Sequence, residues 1–429
     1  MNHHLNRLRA LGRKITIGVV GIGSAGKGIA LQAQITPGIE CVAIADVLLE
    51  RAVAWAERLG RVYSVVHTLG EMHDTVQQGK LAVCADGMLV AGCDLVDVFI
   101  ESTSSVLDGG QLGIIALDHG KHLILMNHEA DLVFGPYLMR FAQSRGLVYS
   151  VCDGDQPAVL KRLIDEIEFM GFQLVMAGNI KGFLDRYANP TTIIPEADKR
   201  GLDYRMCSSY TDGTKLCIEM AVVANGLRLR TLIPGMYGPN MNNVLEIFEH
   251  LDFGKLWDGR SAFVDYVLGA QPKGGVFVIG FTDNKHQHDS LAWFPSEMGP
   301  GPFYLFSRPY HLVHFEAMNT VVSAVFDGQS ILKPDYGFQT NVYAYAKRDL
   351  KRGETLDAIG GYTCYGLIEN CADNLTRPGL PICLADGVVL NQDVRQDEKI
   401  HLDMVNYDSK RSDFALYAQA IAASEELRP

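Results

Sequence analysis

No two of the nine cysteines stand in C-x-x-C spacing, which excludes the common zinc and dithiol motifs. They lie scattered at positions 41, 84, 93, 152, 207, 217, 364, 371 and 383, several inside apolar runs. Reduced, buried thiols of a cytoplasmic protein are expected. No uninterrupted apolar stretch reaches about 18 residues, so no segment is expected to span a bilayer. The first residues carry Arg7, Arg9, Arg13 and Lys14 but no apolar core with a small-residue cleavage site, so export is not expected either. Basic residues are in deficit: 38 Lys and Arg against 50 Asp and Glu give a formal net charge of −12. That disfavours nucleic acid or an anionic membrane as the main partner and leaves a small anionic ligand open. Repeats and low-complexity tracts are also absent. What remains is 429 residues, 48% hydrophobic and 21% charged, enough for two or three globular domains.

The most informative stretch is Lys14 to Gly26, where an apolar β-rich run enters the glycine series Gly21, Gly23 and Gly26 and then an apolar helix. In G-x-G-x-x-G the first glycine permits the tight turn and the second lets backbone N–H groups approach a pyrophosphate. The third lets the helix pack closely on the strand. Ser24 and Ala25 in the turn are counted with the cofactor-binding residues, and the helix is expected over 28–34. A second strand, 40–45, ends on Asp46, twenty residues past Gly26, where a carboxylate can accept ribose hydroxyls. The alternative is a plain βα turn with Asp46 as a helix cap.

Strands expected at 95–101, 121–126 and 147–152 alternate with helices at 48–59, 107–119 and 132–144, with a polar stretch after residue 59. This pattern calls for a doubly wound parallel sheet. Ligands of such sheets sit outside the carboxyl ends of the strands, where Ser102, Thr103, Asn127, His128 and Glu129 fall. After residue 150 the character changes. A helix at 158–170 and a strand at 173–178 precede an irregular, polar segment at 187–212, read as a functional loop. A helix over 212–226, closed by Gly226, follows. The polar run Asp283–Asp289, with His286 and His288, reads as a solvated loop, and no metal site is assigned. A helical run is expected at 311–326, and short strands beyond 338.

Asp212, Lys215 and Glu219 share one face of the 212–226 helix. Partly desolvated, Lys215 could lose its proton and serve a substrate oxygen, with Asp212 and Glu219 holding it. Alternatively Asp212 caps the helix and Lys215 pairs with Glu219 on a solvated face. Five cations, Lys181, Arg186, Lys199, Arg200 and Arg205, could capture a phosphate or carboxylate or simply be solvated. Arg308 and His311 open the helical run and could face a cleft or solvent.

Met126–Asp131, Tyr149–Ala158, Asp212–Lys215 with Glu219–Ala221, and Arg308–Leu312 together resemble homoserine-dehydrogenase-like oxidoreductases, nearest their deoxyxylulose phosphate reductoisomerase-like branch. Segments Ala346–Glu354 and Gly360–Gly366 resemble the SAF fold. The resemblance implies an α/β architecture in three parts. These are a Rossmann domain at 1–150, an α+β catalytic and oligomerisation domain at 151–337, and a mostly-β SAF-like domain at 338–429. The 308–326 helix is expected to pack back on the first. Lys215 matches the catalytic lysine, Glu196 and Asp198 match a substrate loop, and His128 replaces a second lysine. It therefore implies an NAD(P)-dependent oxidoreductase acting on a small polar hydroxy or keto compound, such as a sugar phosphate or sugar acid, as a cytoplasmic homo-oligomer. The catalytic set is Lys215, Asp212 and Glu196; the substrate set is His128, Glu129, Lys181, Asp198, Glu219, Arg308 and His311. NAD is favoured over NADP by Asp46, and a divalent-metal requirement is left open. The competing expectation is a non-catalytic dinucleotide-binding sensor whose SAF region holds a sugar or partner.

Overall fold

The computed structural model describes residues 3–293, 298–357 and 359–427. The chain forms two compact units: Met1–Ala158 with Leu312–Lys333 and Leu416–Glu426, and Val159–His311 with Pro334–Ala415 and Leu427–Pro429. No helix among the described residues is long and apolar enough to cross a membrane.

The first unit is built on β1 (Ile15–Val20), β2 (Ile39–Ala45), β3 (Tyr63–Val65), β4 (Leu81–Cys84), β5 (Val98–Glu101), β6 (His122–Leu125) and β7 (Tyr149–Val151). All pair in parallel, in the order β3-β4-β2-β1-β5-β6-β7. The doubly wound α/β class read from the sequence is therefore the observed one. Helices α1 (His3–Ala10), α2 (Ser24–Ile35), α3 (Leu49–Arg58), α4 (Leu69–Gln77), α5 (Gly87–Gly92), α6 (Val106–Asp118) and α7 (His128–Ser144) accompany the strands. Central strand β1 is buried almost throughout because a parallel sheet is covered on both faces, hence its Ile15-Ile17-Val19-Val20 composition. The stretch after residue 59, read only as polar, contains β3, α4, β4 and α5. Its strands are too short for periodicity to reveal, and Thr68 and Asp86 cap the two helices.

Segment 312–333 belongs to this core through Ala317, Met318, Val321 and Val322. The continuous helix expected over 311–326 is not formed. An α-helix spans only Ala317–Val322 and widens into a π-helical turn at Ser323–Asp327. Before it, Glu316 accepts the Leu312 amide at 3.2 Å, and the His314 ring lies where a Cβ on Gly28 would fall. Buried Asp153 fastens the segment: its amide donates to Thr320 Oγ1 at 2.8 Å and its carboxylate accepts Asn319 Nδ2 at 2.9 Å.

In the second unit, β8 (Gln173–Lys181), β9 (Phe263–Leu268), β10 (Val276–Phe281) and β11 (Phe303–Arg308) form a mixed sheet ordered β11-β10-β8-β9. Its core includes Ile247, Phe253, Phe263 and Phe277. The antiparallel pair β12 (Thr340–Ala346) and β13 (Cys364–Asn370) follows. Helix α8 (Gln156–Phe169) precedes β8, and α9 (Ile194–Arg200) and α10 (Tyr204–Thr211) occupy the segment expected to be irregular. Asp203 caps α10 and Gly201 ends α9 at φ 63°, local chemistry that a count of prolines and polar residues hides. Helix α11 (Thr214–Leu227) runs through Gly226, which is buried, and ends instead on Arg228 at φ 56°. The run 283–289 is likewise not a loop: Lys285–Leu291 is helical, with Asn284 accepting the His286 and Gln287 amides. All nine cysteines are free, eight of them buried, and burial pushes the Cys41, Cys84, Cys217 and Cys364 thiols up to about 12.

Candidate active site

In the first unit the chain passes from β1 to β2 on one side and returns to β5 on the other, so the crevice beyond β1 and β5 is the topological switch point. The three glycines meet there with different constraints. Gly21 sits at φ +89°, and a Cβ on it would lie 2.6 Å from the Ser102 carbonyl and the Thr103 nitrogen. A Cβ on Gly26 would lie 2.0 Å from the Gly21 oxygen and 2.7 Å from Ser102 Oγ. A Cβ on Gly23 would meet nothing within 4 Å. Two glycines are thus enforced by packing, while the third, N-cap of α2, opens to free space together with the amides of Ser24 and Ala25. Ser102 Oγ donates to the Val20 and Gly21 carbonyls at 2.9 and 2.8 Å, tying β5 to the glycine loop.

Asp46 is 5% exposed. Its carboxylate accepts the Ile22 amide at 2.8 Å and the Leu48 amide at 3.0 Å, and Arg51 Nη1 stands 3.4 Å away. The residue thus braces the glycine loop. Asn127 caps α7 by accepting the Ala130 amide and donates to the Ser105 carbonyl at 2.9 Å. His128 is buried with Nδ1 3.5 Å from Asp155, and Glu129 is buried beside Glu101.

Glu101 did not emerge from the sequence. Burial pushes its carboxyl up to about 8, against the lowering effect of Thr103, whose amide it accepts at 2.7 Å. A carboxylate ending an apolar strand at the switch point was the available signal. Asp131 on α7 was missed too: burial raises it to about 7, and the Tyr149 hydroxyl donates to it.

In the second unit, α11 is buried on every side from Thr214 to Gly226, which removes the solvated-face alternative for Lys215. Lys215 is 6% exposed, Glu219 lies one turn further on at 2%, and Lys181 at the end of β8 is 3.5 Å from Glu219. Val276 pairs with both Asn179 and Arg308, so Lys181, Arg308 and His311 share one end of the sheet. His311 Nδ1 contacts the Gly274 carbonyl at 2.7 Å, and Arg308 stacks on Tyr310.

Asp212 has a different partner from the one expected. Its Oδ1 accepts the Thr214 amide at 2.8 Å and its Oδ2 pairs with Lys347 at 2.8 Å, both side chains being buried. Burial still raises the Asp212 carboxyl above its usual range, against the lowering influence of Lys347. Lys347 also donates to the Ala188 and Gly361 carbonyls. Lys347 lies beside Arg348 in a run that reads as surface charge, so nothing in the sequence marks it. Glu196 and Asp198 lie on α9, where Asp198 is exposed and accepts the Tyr204 hydroxyl at 2.9 Å.

Residues 154–317 match the family described as oxidoreductase DRL, catalytic domain. The chain carries an oxidoreductase catalytic domain. This match spans less than half of the sequence but contains Lys181, Glu196, Asp198, Asp212, Lys215, Glu219, Arg308 and His311. No curated protein matches the chain. Among solved structures, a probable dehydrogenase from Thermotoga maritima is 13% identical, over 74% of this chain and 90% of its own, with a TM-score of 0.41. A 3-ketoreductase from Actinomadura kijaniata is 13% identical over 74% and 91%, with a TM-score of 0.40. Biliverdin reductase from Synechocystis sp. PCC 6803 is 15% identical over 41% of this chain at a TM-score of 0.30, and the chain spans about half of that reductase, 49%. TM-scores this low carry no functional inference.

Proposed function

We propose that the chain is an NAD(P)-dependent oxidoreductase of a small polar hydroxy or keto compound, with a sugar phosphate or sugar acid as the substrate class. Its narrower assignment is the reductoisomerase-like branch of the homoserine-dehydrogenase-like enzymes, with residues 338–429 as an SAF-like domain and the active species a cytoplasmic homo-oligomer. The observation that carries this reading is the glycine loop at the switch point, whose open side at Gly23 is the side a pyrophosphate would approach.

The residues present fit a dinucleotide. Gly21 to Gly26 would hold the pyrophosphate with the α2 amides, Asp46 the ribose, and Ser102, Thr103 and Asn127 the nicotinamide half. The nicotinamide supplies or accepts hydride. Lys215, desolvated on α11, holds or delivers the proton at the substrate oxygen, and Glu219 with Lys181 fixes the charge around it. Asp212, locked to Lys347, sets the start of α11. Arg308, His311, His128 and Glu129 are the further polar groups assigned to substrate.

Lys215→Ala should lower turnover by about two to four orders of magnitude, the usual worth of a positioned proton donor. Coenzyme affinity should stay within a few-fold. The measurement is NAD(P)H absorbance across a panel of polyols, sugar acids and sugar phosphates, and wild-type turnover in the variant would refute the assignment. NAD(H) should bind more tightly than NADP(H) because Asp46 repels a 2′-phosphate. Arg51, 3.4 Å from that carboxylate, is the group that would soften the preference, so Arg51→Ala should widen it. The reverse order in a fluorescence titration would overturn the coenzyme choice.

A further inference from the structure

The second unit contains a cavity of about 290 Å³, at the lower edge of the range for small-molecule sites, that the proposed reaction does not use. Asp212, Leu216 and Cys217 line one side, and Leu184, Tyr266 and Leu367 are among the residues opposite, with Arg186 at the lining. Leu216 and Cys217 are turned by about 100° and 200° from Lys215 around α11. The cavity is therefore lined by another side of the turn that bears Lys215.

Two of its polar groups have no hydrogen bond or ion pair among the described residues: the Arg186 guanidinium, which lies over the Tyr365 ring at 5.2 Å, and the Tyr266 hydroxyl. The neighbouring carboxylates are already matched. Asp212 pairs with Lys347, and Asp397 accepts the Tyr187 and Tyr365 hydroxyls at 2.8 and 2.9 Å. Asp265 accepts the Tyr237 and Gly238 amides. Arg186 is thus a cation beside a concave surface that mixes polar groups with Leu184, Leu216, Cys217 and Leu367, and no anion among the described residues is committed to it.

We infer that this cavity binds a small monocarboxylate with an apolar or aromatic body, its carboxylate held by Arg186 and Tyr266 and its body against Leu216, Leu367 and Cys217. A guanidinium and a phenol match the two oxygens of a carboxylate as donors. A second negative charge is disfavoured, because one guanidinium stands among three acidic side chains, Asp212, Asp265 and Asp397. With its body against Leu216, Leu367 and Cys217, this ligand is chemically unlike the polar substrate assigned above, and its binding can be read without turnover.

Benzoate is the probe and benzamide its neutral counterpart, titrated into the full-length protein by calorimetry. Benzoate should bind and benzamide should bind at least about tenfold more weakly, as expected for loss of a charge-assisted pair. Arg186→Gln should weaken benzoate by a similar factor, and Tyr266→Phe by several-fold. Lys215→Ala should bind benzoate as the wild type does, which separates this cavity from the proposed catalytic groups. Equal binding of the two probes, an Arg186→Gln variant that binds benzoate like the wild type, or loss of benzoate binding in Lys215→Ala would each overturn the proposal. Arg186 is exposed, so the variant should melt with the wild type; if it does not, Tyr266→Phe with the benzamide comparison decides.

Discussion

Replacing Gly23 and Gly26 separately by alanine should split folding from coenzyme binding. At Gly23 the backbone is extended, with φ −79° and ψ −157°, a conformation alanine adopts without strain, and an added methyl meets nothing within 4 Å. Stability should be unchanged or higher by about 0.4–1 kcal/mol, the usual gain from restricting the unfolded chain. The same methyl occupies the space through which a pyrophosphate reaches the backbone amides. Loss of one charge-assisted hydrogen bond there, worth about 1.5–3 kcal/mol, weakens the dinucleotide by roughly ten- to hundred-fold. At Gly26 the methyl would fall 2.0 Å from the Gly21 oxygen, a backbone atom that cannot rotate away, so α2 must shift. A destabilisation of about 1–3 kcal/mol is expected, with coenzyme binding lost alongside. Urea denaturation and NAD(P)H fluorescence titration of both variants measure the two effects. A Gly23→Ala protein that binds coenzyme like the wild type would refute the assignment of the loop.

Lys347→Met should destabilise by about 3–5 kcal/mol because Asp212 would be left buried without its counter-ion. Adding Asp212→Asn should recover most of the urea midpoint, and no recovery would show that Lys347 acts through its carbonyl contacts instead. Glu101, raised to about 8 from an ordinary 4.5, binds its proton more tightly in the folded state than in the unfolded. Its effect on stability is absent below about pH 4.5 and grows unfavourable as pH rises toward 8, by a few kcal/mol at about 1.4 kcal/mol per unit. Glu101→Gln should flatten this part of the wild-type profile, and identical slopes from pH 5 to 8 would contradict it.

How much could be read in advance follows from the range of the forces involved. The β1 to α2 turn, Asp46 and the alternation of strands and helices were legible because they rest on glycine stereochemistry and local periodicity. Strands β3 and β4 were not, being three and four residues long. Helices α9 and α10 were hidden because their caps are single residues within polar sequence. The 311–326 run was overcalled because contacts with Gly28 and Asp153, distant in sequence, decide where its helix begins.

From sequence alone, this protein determined its glycine loop, its parallel sheet and the face of α11 that bears Lys215, since each depends on residues within a turn or two of one another. Only the tertiary structure decided that α11 is enclosed on all sides, that Asp212 is neutralised by Lys347 from 135 residues away, and that Glu101 is buried at the crevice. Burial and charge pairing across the fold are properties of packing. A carboxylate or an amine looks the same in the sequence whether water or protein surrounds it.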